Sequence, residues 1–208
     1  MRVRTSLACV VATASLAAVF GPVTAALAGS GSGYFYANGP KPVPNGHGAA
    51  KLKILSTLPT DIDPVLDDVN LSIRVKHPKV HDLVLKLKRP DFVGPSGPFG
   101  GPRAITLSDR DARGRNFGRG SCPDDPPAAT PASFTTFDDA ASIDLSAGSG
   151  PYEGSYDPAA PLAGFNGYHH APSTDPASPE EWTLIVKDVA DNRKAGRLRC
   201  AVLFLSRI

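Results

Sequence analysis

From Asp68 onward, apolar and polar residues alternate along several short runs. Val69, Leu71, Ile73 and Val75 interleave with Asn70, Ser72, Arg74 and Lys76. That period of two belongs to a strand with one buried face. Leu83, Leu85 and Leu87 alternate with Val84, Lys86 and Lys88, and Ile105-Thr106-Leu107 forms a shorter run. Trp182, Leu184 and Val186 alternate with Thr183, Ile185 and Lys187, and Leu198, Cys200, Val202 and Phe204 repeat the pattern near the end. Turn formers separate these runs: Pro95 to Pro98, Arg113-Gly114, Pro123 to Pro131, Gly148 to Pro151 and Asp191 to Gly196. No apolar face recurs at helical spacing for three turns. The pattern predicts an all-β fold, an antiparallel sandwich or jelly roll.

Composition agrees. Glycine (20) and proline (21) make about a fifth of the 208 residues, against an average of roughly 12%. Both disfavour helix interiors, one through backbone entropy and one through a missing donor. This composition disfavours a large helical bundle and a doubly wound α/β enzyme. With 41% hydrophobic residues the chain can still build a core.

The first 28 residues have a different character. Arg2 and Arg4 precede an apolar run from Leu7 to Phe20, and Ala26-Leu27-Ala28 is an A-x-A cleavage site. This is the pattern of a secretory signal peptide over residues 1–28, bacterial in style, and it places the mature protein outside the cell. Residues 29–41, rich in Gly, Ser and Pro, read as a flexible lead-in with room for a first strand near Tyr34. The remaining 42–208 would form the domain.

Removing the signal also changes the charge. Of 22 basic residues, Arg2 and Arg4 leave with it, so 20 cations face 20 acids. A balanced chain projects no long-range field, so neither nucleic acid nor an anionic membrane is an expected partner. Cys9 leaves too, and the thiols of Cys122 and Cys200 remain. Two thiols in an oxidising compartment suggest one disulfide; two separate thiols are the other reading. A bridge closing a loop of that length would stabilise by about 4 kcal/mol in the chain-entropy model.

Candidate chemistry is sparse. Gly94-Pro95-Ser96-Gly97-Pro98 departs from a nucleophile elbow at its last position and precedes no helix. His77 and His81 would share a zinc-binding face only on a helix, which Pro78 and the flanking strands oppose. His169-His170 and Asp175 lie in a Gly/Pro-rich loop with no nucleophile specified. His47 completes the set. The acids Asp109, Asp138 and Asp139 follow predicted strands, where hard oxygen ligands could hold a structural Ca²⁺. Turn capping by the same side chains is the plainer alternative.

Taken in order, several blocks resemble one family. Asp68-Val69-Asn70-Leu71-Ser72-Ile73, then His77, then Asp82 to Leu87 are similar to the opening strands of the P domain, or Homo B domain. That module follows the subtilisin-type catalytic domain of kexin- and furin-like proprotein convertases and bacterial relatives. Thr106 to Arg110, Asn116-Phe117, Phe134-Thr135-Thr136-Phe137-Asp138-Asp139-Ala140-Ala141, Pro151 to Pro158, Pro161 to Gly167, Glu181 to Asp188 and Gly196 to Leu198 continue the likeness. It spans roughly Pro42 to Ile208.

The resemblance implies a jelly-roll sandwich, a Cys122–Cys200 pair like that of some bacterial members, and association with serine-type endopeptidases and proteolysis. His81 stands where the family has Gly, Phe92 to Gly101 is longer than usual, and Asn192-Arg193-Lys194 replaces a more acidic turn. No subtilisin-like domain is expected to precede the module. The expectation is a secreted, stand-alone, non-catalytic accessory module whose partner is a secreted protease or another extracellular protein. An extracellular binder of polysaccharide or fibrous protein is the alternative, with Tyr34, Tyr36, Tyr152, Tyr156 and Tyr168 as candidate contacts. A hydrolase using His169 or His170 is the third reading.

Overall fold

The computed structural model describes residues 32–46, 48–56, 65–91, 93–94, 97–98, 101–124, 132–168 and 179–207. The signal segment 1–28, with His47, Ser96, His169, His170 and Asp175, lies outside these residues. The described chain is all-β, with no α-helix and with three single 3-10 turns. No helix among the described residues is long and apolar enough to cross a membrane.

Two sheets carry the structure. The five-stranded sheet has the order β1 (Gly33–Val43), β11 (Gly196–Arg207), β3 (Leu66–Lys76), β8 (Thr135–Phe137), β9 (Gly154–Tyr156). The four-stranded sheet has the order β2 (Ala49–Ser56), β10 (Glu180–Asp188), β4 (Leu83–Lys88), β7 (Ala104–Asp109). All neighbours are antiparallel except β8 and β9, which run parallel. A two-residue pair, β5 (Val93–Gly94) with β6 (Gly97–Pro98), forms a separate ribbon.

The alternation predicts which side chains meet between the sheets. Val69, Leu71, Ile73 and Val75 from one sheet join Leu83, Leu85, Leu87, Trp182, Leu184 and Val186 from the other in one buried cluster. Fully burying each such side chain contributes about 1.5–3 kcal/mol. Phe165 and Tyr168 close one end, both edge-on to Trp182 at 5.3 and 6.3 Å between centroids.

Three features depart from the sequence reading. The strand near Tyr34 is present and runs from Gly33 to Val43, so 33–41 belongs to the sheet rather than to a lead-in. Its prolines are tolerated because β1 is an edge strand, with a register shift between Asn38 and Lys41. Strand β2 is an additional strand, in which buried Ala50, Leu52 and Ile54 alternate with exposed Lys51, Lys53 and Leu55. In β11 the register shifts between Leu198 and Cys200. The extra residue there flips the pleat, so Ala201, Leu203 and Leu205 face the main core. Cys200 and Val202 turn to the opposite face, against Phe134.

Candidate functional site

Among the described residues, three polar constellations could carry chemistry, two at strand ends and one on the outer face of the five-stranded sheet. The first follows β3 and β10, where His77 and Asp188 are both fully buried. His77 Nε2 lies 3.1 Å from Asp188 Oδ2 and 3.1 Å from the Lys194 carbonyl. Its Nδ1 lies 2.7 Å from the Lys79 carbonyl and 3.1 Å from the Lys79 N–H. The second Asp188 oxygen accepts the Ala190 N–H at 3.0 Å. Nearby, buried Asp82 accepts from Asn192 Nδ2 at 2.6 Å and meets His81 Nε2 at 3.1 Å. Gly196 lies so close that a Cβ there would come within 2.4 Å of the His77 ring.

This arrangement ties the turn at 190–195 to the ends of both sheets. Among the described residues, no hydroxyl or thiol hydrogen-bonds to His77. His77 and His81 also turn to different carboxylates rather than to one point, because only a 3-10 turn, Val80–Asp82, follows Pro78.

The second constellation lies after β8. Asp138 accepts the Ala140 N–H at 2.8 Å, an Asx turn. Asp139 accepts two backbone donors, Leu162 N–H at 2.8 Å and Ala163 N–H at 2.6 Å, at the start of the 3-10 turn Leu162–Phe165. Asp68 lies close by and accepts from Asn70 Nδ2 at 2.9 Å. Burial first, and then the negative charge of Asp138, push its carboxyl above the usual range; Asp139 and Asp67 add to this, while the Val69 N–H opposes it. Asp109 stands exposed at the end of β7, opposite Val84. Among the described residues, no three Asp, Glu, His or Cys side chains form a group able to hold a metal ion. The observed bonds of Asp138 and Asp139 are to backbone N–H groups, as in turn caps.

The third constellation surrounds the Cys122–Cys200 disulfide, whose Cα atoms are 6.1 Å apart. Phe134, Val202 and Tyr36 pack beside it on the outer face of the five-stranded sheet. Arg74 stacks its guanidinium 4.2 Å above the Phe134 ring and donates to Ser133 Oγ. Its burial among these groups lowers its pKa from the ordinary value. Tyr36 donates its hydroxyl to the Pro123 carbonyl at 2.6 Å. Sequence reading found the cysteines but not Arg74, whose partners lie 59 or more residues away.

The tyrosines considered as exposed contacts are mostly packed. Tyr152 and Tyr168 are buried, Tyr36 and Tyr156 half-buried, and Tyr34 stands 39% exposed beside Phe204.

No protein-family model and no curated protein matches the chain. Among solved structures it is similar to a crystal structure of the Aeromonas sobria serine protease in complex with a chaperone, at 13% identity and a TM-score of 0.39. The match covers 86% of this chain and 27% of the other, so the chain spans about a quarter of that protein. A TM-score that low establishes no shared fold and bears on no activity.

Proposed function

We propose that the protein is a secreted accessory module of the P-domain type. In this reading the two sheets are a jelly roll that binds an extracellular protein, a serine endopeptidase in first place, and performs no catalysis itself. The observation that carries it joins two of the blocks on which the resemblance rests. Asp139, in the block Phe134 to Ala141, holds the first turn of the block Pro161 to Gly167 by two hydrogen bonds. The blocks thus behave as parts of one frame rather than as scattered likenesses.

The remaining blocks support the same reading by falling on structural elements in order. Asp68 to Ile73 lies in β3, Asp82 to Leu87 enters β4, and Thr106 to Arg110 ends β7. Glu181 to Asp188 is β10 and Gly196 to Leu198 opens β11. Acyl transfer would need a nucleophile, a base and oxyanion donors in one geometry. The acid–base pair described above is instead consumed inside the frame. The test is retention of a defined extracellular protein from the medium of the source organism, together with an assay for peptide hydrolysis. Hydrolysis by the purified module would refute the non-catalytic reading.

A further inference from the structure

Near-zero net charge conceals an uneven distribution. The outward side chains of the four-stranded sheet are, on β2, Ala49, Lys51, Lys53 and Leu55; on β10, Glu181, Thr183, Ile185 and Lys187; on β4, Val84, Lys86 and Lys88; and on the edge strand β7, Ala104, Thr106 and Asp109. Register sets them in rows. Lys53, Thr183 and Lys88 lie side by side, and Lys51, Ile185 and Lys86 form the next row. Lys187 continues the central line between Ala49 and Val84. Lys41 and Asn38 of β1 border the β2 side of a shallow depression of about 530 Å³ over this face.

Among the described residues, two acids pair with these cations, and Asp109, exposed opposite Val84, stands at the edge of the face without an ion pair. Glu181 pairs with Lys53 at 2.8 Å and Asp91 with Lys88 at 2.7 Å. Lys41, Lys51, Lys86 and Lys187, all exposed, have no carboxylate partner among the described residues. Two walls of lysine therefore flank a floor made by Thr183 and Ile185.

We infer that this face binds an extended acidic segment of a protein partner, lying along β10 between the two lysine walls. The inference rests on the binding-module reading and adds to it the face and the chemistry. Its warrant is charge complementarity combined with spacing. Alternate residues of a strand lie roughly 7 Å apart, and strands lie roughly 5 Å apart. Lys51 and Lys53 thus repeat at roughly 7 Å on one wall, as do Lys86 and Lys88 on the other, with roughly 10 Å between walls. An extended peptide laid flat over β10 sends successive side chains alternately left and right, repeating at roughly 7 Å on each side. Acidic residues along such a peptide match both walls at once, because peptide and walls share one backbone period. A uronate polysaccharide repeats by its sugar unit and has no such built-in match.

Fluorescence anisotropy with labelled octaglutamate tests this on the purified protein. Saturable binding is expected at low ionic strength, weakening as salt rises. The variant Lys51→Glu/Lys86→Glu should lose about tenfold in affinity or more, while Lys76→Glu/Arg197→Glu should stay within about twofold. The second variant makes the same charge change on the other sheet, where Lys76 and Arg197 are register partners. Melting curves of both variants establish that each remains folded. Absence of binding, equal loss in the two variants, or binding of polygalacturonate but not octaglutamate would each overturn the inference. A protein partner retained equally by wild type and by Lys51→Glu/Lys86→Glu refutes this face while leaving the accessory reading intact. Octaglutamate bound through these lysines, with no protein partner retained, refutes the accessory reading instead.

Discussion

His77 and Asp188 stand 111 residues apart in sequence and meet at 3.1 Å with neither side chain exposed. Removing one partner leaves a buried polar atom of the other without its hydrogen bond, at a cost of about 1–3 kcal/mol. Asp188→Ala should therefore destabilise strongly in chemical denaturation, and His77→Ala should be similar. The double variant should cost much less than the sum of the two. Additive losses would show that the pair is not coupled.

Gly196 gives a steric check on the same corner. Ala at that position would press on the His77 ring and on the Lys76 carbonyl, at 2.4 and 3.0 Å. Gly196→Ala should lower the melting temperature, whereas Ala195→Gly, next in the chain, should change it far less. Equal effects would mean that the ring has room to move.

Asp68 carries an unfavourable charge. A carboxyl with a raised native pKa favours the protonated folded state. Its stabilisation is complete below the unfolded value of 3.8 and is lost as pH rises through the native value. Asp68→Asn should accordingly raise the melting temperature at neutral pH and leave it unchanged at strongly acid pH. A fall at neutral pH would contradict the repulsion from Asp138 and Asp139.

The same corner decides the calcium question. With Asp138 and Asp139 engaged by backbone N–H groups, melting curves in calcium and in chelator should coincide. A ligand bound only by the folded state would raise the curve. A reproducible rise with calcium would restore Asp109, Asp138 and Asp139 as candidate ligands.

At alkaline pH the tyrosines dominate. Burial raises the pKa of Tyr36, Tyr152 and Tyr168 above the ordinary 10.0. Their contribution is present below pH 10.0 and lost as pH climbs through the native values. Ultraviolet absorbance of the phenolate should show these phenols ionising above pH 10.0 and together with unfolding. Ionisation of all five tyrosines near pH 10.0 with the fold intact would contradict the observed packing.

The strands were legible where burial is one-sided. In β3, β4 and β10 every second residue enters the same core, so periodicity alone locates them. Periodicity misled in β11, because one extra residue at Arg199 reverses which face the following side chains take. The cysteine pair was legible from composition. Asp139 was visible as an acid after a strand, but its role as the cap of Leu162–Phe165 depends on chain closure over 23 residues. Nothing local marks His77 as the partner of Asp188, or Arg74 as the partner of Phe134. The lysine face escaped a reading based on total charge, since only strand register sorts those cations from the acids.

The most direct test of the account is affinity capture with the immobilised mature protein in the extracellular medium of its source, followed by mass spectrometry and a hydrolysis assay on the bait alone. The account predicts one reproducible protein partner, a serine endopeptidase in first place, and no hydrolysis by the bait. Retention of carbohydrate alone, or peptide hydrolysis by the bait itself, would contradict it.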